Sequence, residues 1–254
     1  MTPLAEAFAA MEARPDDDGA RLTYYLALAD TDLSLVLNRD SDGETADART
    51  MTVDGVETAM AFDDDLTLVD TCGPGTEFLA ASGRQIAALL APAGVGLAVN
   101  PGAADTAVLP PEALAWLTQT LAQSPEAAAA TPVAVHPPTG IPEVVESALA
   151  RRLTGLPGLA RAGWLVAFDY GDGSRGHALV IEGATARVED ALAAALSEAL
   201  VFSGVDAGVL DITFPAEDAP LWPAIQRQGR RLAFPAAAVP QPPGSNPDAP
   251  PKLR

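Results

Sequence analysis

Prolines divide this chain into two regions that can fold and two that resist regular structure. Four prolines lie between Gln123 and Gly140, and seven lie between Pro235 and Pro251. Proline has no backbone N–H and disfavours helix at the residue before it, so neither stretch is expected to be regular. The sequence therefore predicts an N-terminal domain at 1–123, a linker at 124–138, a C-terminal domain at 139–235 and a disordered tail at 236–254.

Composition indicates that both regions can build a packed core. Of the 254 residues, 48% are hydrophobic and 19% are charged, which is typical of folded chains. Aromatic residues make up only 5%, so Ala, Val and Leu are expected to do most of the packing. Strand and helix patterns in both regions favour α/β (α+β) domains, each a small mixed sheet packed with helices.

The acidic charge is concentrated in the N-terminal half. The formal net charge is −19, and residues 1–122 hold 20 acidic and 5 basic residues against 14 and 10 in the remainder. One lysine, Lys252, and 14 arginines are present, so nucleic acid and anionic membranes are poor partners for this chain. The acidic surface either keeps the protein soluble or attracts a basic protein.

The cysteine content and the N-terminal segment indicate the cellular compartment of the protein. Cys72 is the single cysteine, which excludes an intramolecular disulfide and a cysteine-rich zinc site. The segment from Met1 to Glu6 lacks the basic and apolar regions of a signal peptide, and no run of about 18 apolar residues occurs. We expect a cytoplasmic protein.

A strand, a sharp turn and a proline-started helix form the most specific block of the N-terminal region. Residues 95–99 alternate as a buried strand, Asn100-Pro101-Gly102 predicts a turn, and a helix follows Pro110. Asp54-Gly55 predicts a type I′ hairpin. The other expected elements are helices at 4–13 and 84–90, a short helix around 24–26, and strands at 33–37, 50–53, 56–62 and 77–81, with 63–70 ambiguous.

The C-terminal region shows the element order α-β-β-α-β-α. A helical stripe of apolar residues begins at Ile141, and a loop with Asp172-Gly173 joins two strands as a hairpin. The expected elements after the first helix are strands at 163–170 and 177–182, a helix at 187–201, a strand at 205–214, a helix at 221–228 and a short segment at 231–234. This order predicts helices packed on one face of a small sheet.

These segments resemble the SseB family, bacterial proteins named for enhanced serine sensitivity, with an SseB N-terminal domain and an SseB C-terminal domain. The resemblance covers roughly residues 4–123 and 139–235, and the chain departs from the family pattern at Phe62-Asp63-Asp64-Asp65. The C-terminal part is carried by the Ile141 helix and by the strands at 162–168 and 210–214. The N-terminal part is carried by Ala81-Ser82-Gly83-Arg84-Gln85-Ile86, by Gly96-Leu97-Ala98-Val99-Asn100-Pro101-Gly102 and by Leu109-Pro110-Pro111-Glu112.

The resemblance implies a fold, a cytoplasmic bacterial setting and a loose link to serine or sulfur amino-acid physiology. It supplies no catalytic residues that can be carried over to this chain, so it implies no reaction.

Cys72 is the candidate nucleophile. It lies in a glycine-rich turn, where backbone N–H groups can stabilise a thiolate or a persulfide. Its neighbours Asp70 and Glu77 are negative and oppose a thiolate. An incidental cysteine is the favoured interpretation, and thiol or sulfur-transfer chemistry is the alternative.

Arg84, Asn100 and Gly102 are the candidate ligand-binding residues. The first begins a helix and the other two follow a strand, and both places can direct backbone N–H groups at an anion. No Gly-x-Gly-x-x-Gly or Walker signature is present, and Asp105 repels phosphate, so a plain turn is favoured. The turn nevertheless follows a strand, and α/β folds bind ligands at the carboxyl ends of strands.

Trp116 is the candidate interface residue. It lies off the apolar stripe of its predicted helix. Its side chain is therefore expected either to form part of a contact surface or to pack between the domains.

We expect no metal site and no cofactor. His136 and His177 do not share a helix face, so a zinc hydrolase site lacks its ligands. A Ser-His-Asp triad could use only these two bases, and no Gly-x-Ser-x-Gly motif accompanies either one. The loop that begins at Asn38 resembles a calcium loop, but Arg49 occupies the position that requires Glu. The acidic runs at 16–18 and 63–65 are interpreted as solvated.

The sequence therefore favours a non-enzymatic cytoplasmic binding or regulatory module with an unknown protein partner. The first alternative is a thiol or sulfur-transfer enzyme that uses Cys72, and the second is an acidic partner of a basic protein.

Overall fold

The computed structural model describes residues 2–38, 47–123, 131–204 and 210–236. Nearly all of the predicted tail, the first part of the predicted linker and most of the loop that resembles a calcium site lie outside these ranges. The chain forms two compact units, Met1–Pro125 with Val201–Gly204 and Glu126–Leu200 with Val205–Arg254. No helix of the described ranges is long and apolar enough to cross a membrane.

The N-terminal unit is a mixed sheet with helices on both faces. Its strands run in the order β4-β1-β3-β5-β6, with β2 paired to β3, and of these pairs only β3 and β5 are parallel within the described residues. The elements in chain order are α1 (Pro3–Glu12), α2 (Asp18–Asp30), β1 (Asp32–Val36), β2 (Thr50–Val53), β3 (Val56–Phe62), α3 (Asp65–Cys72), β4 (Phe78–Ser82), α4 (Gly83–Leu90), β5 (Gly96–Val99), β6 (Ala107–Leu109) and α5 (Pro111–Leu121).

The main core of this unit lies on one face of the sheet. Alternate residues of the strands, such as Leu33, Leu35 and Leu97, pack there against apolar residues of α2, α4 and α5. The opposite face is covered in part by α3, where Leu68 packs against Val36 and Phe62. The two faces follow from the period-two alternation of side chains along a strand.

The predicted hairpin turn of the N-terminal unit forms, whereas a helix cap that was not predicted lengthens α2. Asp54 and Gly55 have φ values of 49° and 83°, as a type I′ hairpin turn requires. Helix α2 is longer than the short helix expected around residues 24–26, because the Asp17 carboxylate caps it by accepting from the N–H groups of Gly19 and Ala20. The acidic run at 16–18 therefore starts a helix.

The C-terminal unit is a five-stranded sheet built around a long hairpin. Strands run in the order β10-β9-β8-β11, and β7 and β11 share one edge of β8, pairing with residues 167–170 and 162–165. The elements are β7 (Pro132–His136), α6 (Glu143–Thr154), β8 (Ala162–Tyr170), β9 (Arg175–Glu182), α7 (Ala186–Val201), β10 (Leu210–Thr213), α8 (Trp222–Gln228) and β11 (Arg230–Ala233).

The prediction that all helices of this unit lie on one face of the sheet is wrong. Leu165 and Leu179 pack with α6 and α7, whereas Val166 and Phe168 pack with α8 on the other face. Residues 165–168 of β8 are all buried, so this strand needs cover on both sides.

Strand β7 is a second correction, because it lies where prolines predicted irregular structure. Pro132 is its first residue, a place where a missing N–H is tolerated, and the pairing shifts register between Pro132 and Ala134. Pro137 follows the last residue of the strand. The prolines therefore bound the strand and do not interrupt it.

Candidate functional site

Two neighbouring strands of the N-terminal unit end side by side at polar residues. Strands β3 and β5 are parallel, with Ala61 opposite Val99. Asp63 follows the first strand and Asn100 follows the second. The carboxyl ends of adjacent parallel strands are the usual place for a ligand in α/β sheets.

The Asn100-Pro101-Gly102 turn has the geometry that its residues predict. Ala103 N–H donates to the Asn100 carbonyl at 3.0 Å, with Pro101 second and Gly102 third in the turn. Gly102 has a φ of 91°, as the third residue of a type II turn requires. The candidate residue Gly102 is thus needed for the backbone of the turn.

Asn100 itself is buried and adopts a left-handed backbone. It is 2% exposed and has a φ of 51°, a conformation that asparagine tolerates better than most residues. Its N–H donates to the Ala61 carbonyl at 2.8 Å, and its carbonyl accepts from the Thr106 hydroxyl at 2.8 Å. These bonds fix the direction of its side chain.

The Asn100 amide joins two carboxylates. Its Nδ2 donates to Asp63 Oδ1 at 2.8 Å and to Asp105 Oδ2 at 3.0 Å, and its Oδ1 accepts from the Asp63 N–H at 3.1 Å. Thr2 Oγ1 donates to the other oxygen of Asp63, Oδ2, at 2.5 Å. Two carboxylates are therefore held close together by neutral donors. We call these four residues the aspartate–amide network.

This network borders an open pocket of about 970 Å³. Among the described residues, those that line the pocket include four carboxylates and no Arg, Lys or His. The lining residues are Thr2, Ala5, Phe8, Ala9, Glu12, Asp63, Asp64, Thr67, Asn100, Ala104, Asp105 and Thr106. The volume suits a small organic ligand or a side chain of a partner, and the charge favours a cation.

Asp64 adds to the negative charge of the pocket and also begins a helix. Its carboxylate accepts from the Thr67 N–H at 2.9 Å and from the Thr67 hydroxyl at 2.8 Å, which makes it the N-cap of α3. These hydrogen bonds from Thr67 lower the pKa of the Asp64 carboxyl, so it stays ionised near neutral pH. The run at 63–65, interpreted as solvated, instead supplies a network residue and a helix cap.

Tyr24, whose ring contacts a lining residue of the pocket, has a buried hydroxyl. Tyr24 is 2% exposed, and its hydroxyl has no hydrogen-bond partner in the described part of the chain. Burial, with smaller contributions from Tyr25 and from the charges of Asp105 and Asp63, raises the pKa of Tyr24. Its ring packs edge-on against Phe8, a lining residue of the pocket, with ring centres 6.0 Å apart.

Arg84 lies elsewhere, in a segment devoted to packing. Its guanidinium donates to the Asp30 carboxylate at 2.6 Å. A Cβ on the preceding Gly83 would lie 2.0 Å from the Leu28 carbonyl oxygen, so only glycine fits where α4 meets α2. Ser82 N–H donates to the Gln85 side chain at 3.0 Å and completes the start of α4.

Cys72 is on the other face of the sheet, at the last residue of α3. It is half-buried and packs against the cluster of Val36, Phe62 and Leu68. The structure does not bring Cys72 into the pocket lining.

Trp116 contacts aromatic residues of its own unit. Its ring centre is 5.4 Å from that of Tyr25 and 5.9 Å from that of Phe202, and it remains 41% exposed. These contacts account for its position off the apolar stripe of α5, and the interface role stays a prediction.

The C-terminal unit has a carboxylate cluster of a different kind, centred on Asp169. Arg175 Nε donates to Asp169 Oδ1 at 2.6 Å, and His136 Nε2 lies 2.7 Å from Asp169 Oδ2. The hydrogen bonds from Arg175 and from His136 lower the pKa of Asp169 to about 2. We call these three residues the arginine–aspartate cluster.

Sequence reasoning identified Asn100 but missed the other network residues Thr2 and Asp63, and it treated Asp105 only as a repulsive neighbour. One signal was available, because Asp63 follows a predicted strand just as Asn100 does. Their contact depends on β3 lying beside β5, which no local pattern states.

The comparisons with known proteins agree with the motifs of the N-terminal unit. Residues 4–116 match the family model described as SseB protein N-terminal domain. No curated protein and no solved structure matches the chain. The matched segment contains Asp63, Asn100 and Asp105, and the resemblance of the C-terminal unit stays a prediction.

Proposed function

We propose that this protein, whose residues 4–116 match the SseB protein N-terminal domain, is a non-enzymatic binding module whose pocket receives a positively charged group. The aspartate–amide network carries this proposal. It holds two carboxylates within about 3 Å of one amide nitrogen and gives them only neutral donors. An added cation would relieve the repulsion between them.

The pocket is a poor match for the anion site that the turn first suggested. Phosphate or a carboxylate would meet Asp63, Asp64 and Asp105, and like charges in a partly desolvated site repel strongly. The Arg84 cation is held by Asp30 away from the lining residues. The sign of the ligand charge is therefore positive.

The cation can belong to a small molecule or to a basic protein. The second source agrees with the interpretation of the chain as an acidic partner of a basic protein. The family resemblance adds an expected cytoplasmic bacterial setting and a loose connection to serine or sulfur amino-acid physiology. Neither observation assigns a reaction.

The test is a titration of the full-length protein, labelled with ¹⁵N, with organic cations and anions. We expect n-butylammonium or guanidinium to shift the signals of Asn100 and Asp105 saturably, and acetate and phosphate to leave them in place. Asp105→Asn is expected to weaken cation binding by about tenfold or more, because one unit charge is lost beside the ligand.

The matched control is Asp190→Asn, which changes the net charge equally at an exposed position of α7. It is expected to leave the affinity unchanged. Equal effects of the two variants, or stronger binding of anions than of cations, would overturn the proposal.

A protein partner is tested separately by affinity capture at two salt concentrations. Binding through the acidic pocket predicts a complex that weakens steeply with salt and is lost with Asp105→Asn. A complex that survives both changes would place the partner on another surface.

A further inference from the structure

We infer that the open edge of strand β4 pairs with the same strand of a second copy of this chain, so that the sheet of the N-terminal unit continues across a two-fold axis. Strand β4 is an outer strand, and within the described ranges it pairs only with β1. The inference is independent of the proposed cation site, since the residues that line the pocket lie outside β4.

The hydrogen bonds between β1 and β4 show which main-chain groups of β4 are free. Leu37 N–H donates to the Glu77 carbonyl at 2.9 Å, which marks these two residues as a hydrogen-bonded pair. Along an antiparallel strand such residues alternate with residues that point away from the partner strand, so Phe78 and Ala80 point outward. Their N–H and C=O groups have no hydrogen-bond partner among the described residues.

These free groups are complementary to those of an identical strand. Ser82 also points outward, but its N–H donates to the Gln85 side chain at 3.0 Å, so the open edge consists of Phe78 and Ala80. A two-fold axis at Leu79 places Phe78 of each copy opposite Ala80 of the other, with the strands antiparallel. Each of these pairs exchanges two hydrogen bonds, and every free N–H and C=O group of the edge is then satisfied.

The side chains of β4 suit the same pairing. Leu79 packs against the main core, and the two-fold axis brings it beside Leu79 of the second copy. Phe78 is 46% exposed and lies on the other face, where its register partner Val36 packs with α3. Its ring would cover Ala80 of the second copy, which is exposed in the single chain. Apolar contact is therefore gained on both faces of the joined sheet.

Charge assigns the occupant of this edge as a second copy. Strand β4 contains no charged residue, in a chain whose formal net charge is −19. Two acidic molecules approach closely only where neither presents like charges to the other. A basic partner would be attracted to the acidic surfaces and would gain nothing from an uncharged strand.

Four other outer strands carry features that hinder pairing with another chain. Charged residues, prolines, bulges and short length all protect the exposed edge of a sheet. Strand β10 contains Asp211, β11 contains Arg230 and Arg231, β7 begins at Pro132 with a shift of register, and β6 has three residues and is followed by Pro110. Strand β4 has five residues, without a charge, a proline or a shift of register.

The first experiment measures the mass of the unmodified full-length protein by sedimentation equilibrium over about 1–500 µM. The contact is small, so we expect a rise from 26.0 kDa toward twice that mass with a Kd of about 10–100 µM. Added salt is expected to strengthen the dimer, because it screens the repulsion between acidic copies. Salt has the opposite effect on the proposed complex with a basic partner.

The second experiment changes the open edge without changing the fold. Ala80→Lys adds a charge there, and Ala80→Pro removes an N–H that points outward, so each is expected to raise the Kd of the dimer by about tenfold or more. Both urea midpoints are expected to match that of the unmodified protein, because Ala80 is exposed. The matched control is Thr52→Lys, which adds the same charge at an exposed position of the uncharged strand β2 and is expected to leave the Kd unchanged.

The third experiment tests the register by amide hydrogen exchange. The N–H groups of Phe78 and Ala80 are expected to exchange fast in dilute solution and to become protected as the fraction of dimer rises.

The outcomes separate this inference from the proposed function. A monomer at every concentration overturns the inference and leaves the cation site as it stands. A dimer that keeps its Kd in both Ala80 variants, or whose Phe78 and Ala80 amides stay unprotected, overturns the assignment to β4. Loss of the dimer in Thr52→Lys places the contact on β2 and overturns the assignment as well.

Discussion

The two units hold their clustered carboxylates in opposite ways. In the C-terminal unit, Asp169 lies between Arg175 and His136, so its charge is compensated within the protein. In the N-terminal unit, Asp63 and Asp105 share an amide, and their hydrogen-bond donors among the described residues are neutral. The comparison teaches that a carboxylate cluster is informative about a ligand only when the protein leaves its charge uncompensated.

The largest expected difference in the free energy of unfolding comes from removing one hydrogen-bonding side chain from each cluster. Asn100→Ala leaves two neighbouring carboxylates without their shared amide and puts alanine at a positive φ, so we expect a loss of about 3 kcal/mol in the free energy of unfolding. In His136→Ala, Asp169 keeps Arg175, and the loss is expected to be much smaller. Urea denaturation of both variants measures this difference, and equal losses of unfolding free energy would contradict the prediction.

Asn100→Gly sharpens the same prediction. Glycine adopts the positive φ freely, so this variant isolates the loss of the amide from the cost of the backbone. We expect it to be more stable than Asn100→Ala and less stable than the unmodified protein. A variant as stable as the unmodified protein would show that the amide bonds contribute nothing.

A smaller effect, opposite in sign between the units, is expected from neutralising one carboxylate. Asp105→Asn removes a negative charge beside Asp63 and is expected to keep or raise the free energy of unfolding. Asp169→Asn removes the partner of Arg175 and is expected to lower it. Thermal and urea unfolding measure both changes in stability. A loss of stability in both variants would mean that Asp63 and Asp105 do not repel each other.

The smallest effect concerns acid stability. The pKa of Asp169 is about 2 in the folded protein, below its ordinary value of 3.8. Its contribution is therefore present above pH 4 and is lost as the pH falls from about 4 to about 2, where the folded form also becomes protonated. Asp169→Asn should flatten this part of the stability profile, and an unaltered profile would contradict the assignment.

Features that depend on adjacent residues were predicted correctly from the sequence, whereas features that depend on distant residues were missed. The Asp54-Gly55 turn depends on two adjacent residues and formed as predicted. The type II turn at Asn100 likewise depends on local residues. The packing of helices on both faces of β8 was missed, although its sequence signal is the run of four apolar residues at 165–168, all of which are buried.

The candidate site was harder to predict because its members are distant in the chain. Asp63 and Asn100 are 37 residues apart and meet only because β3 pairs with β5. Thr2 reaches Asp63 across 61 residues. Residue types alone favoured a plain turn there, and the three-dimensional structure adds two carboxylates beside it.

The left-handed backbone of Asn100 has a consequence for the rate of binding. Its backbone N–H, its carbonyl and its side chain are all held by bonds to other parts of the unit. The acceptors at the end of β5 are thus already in place in the free protein, and little ordering is left for the ligand to impose. Under the proposed function, a cation is expected to bind fast, with an association rate that falls as salt screens the acidic field and an affinity set chiefly by the dissociation rate.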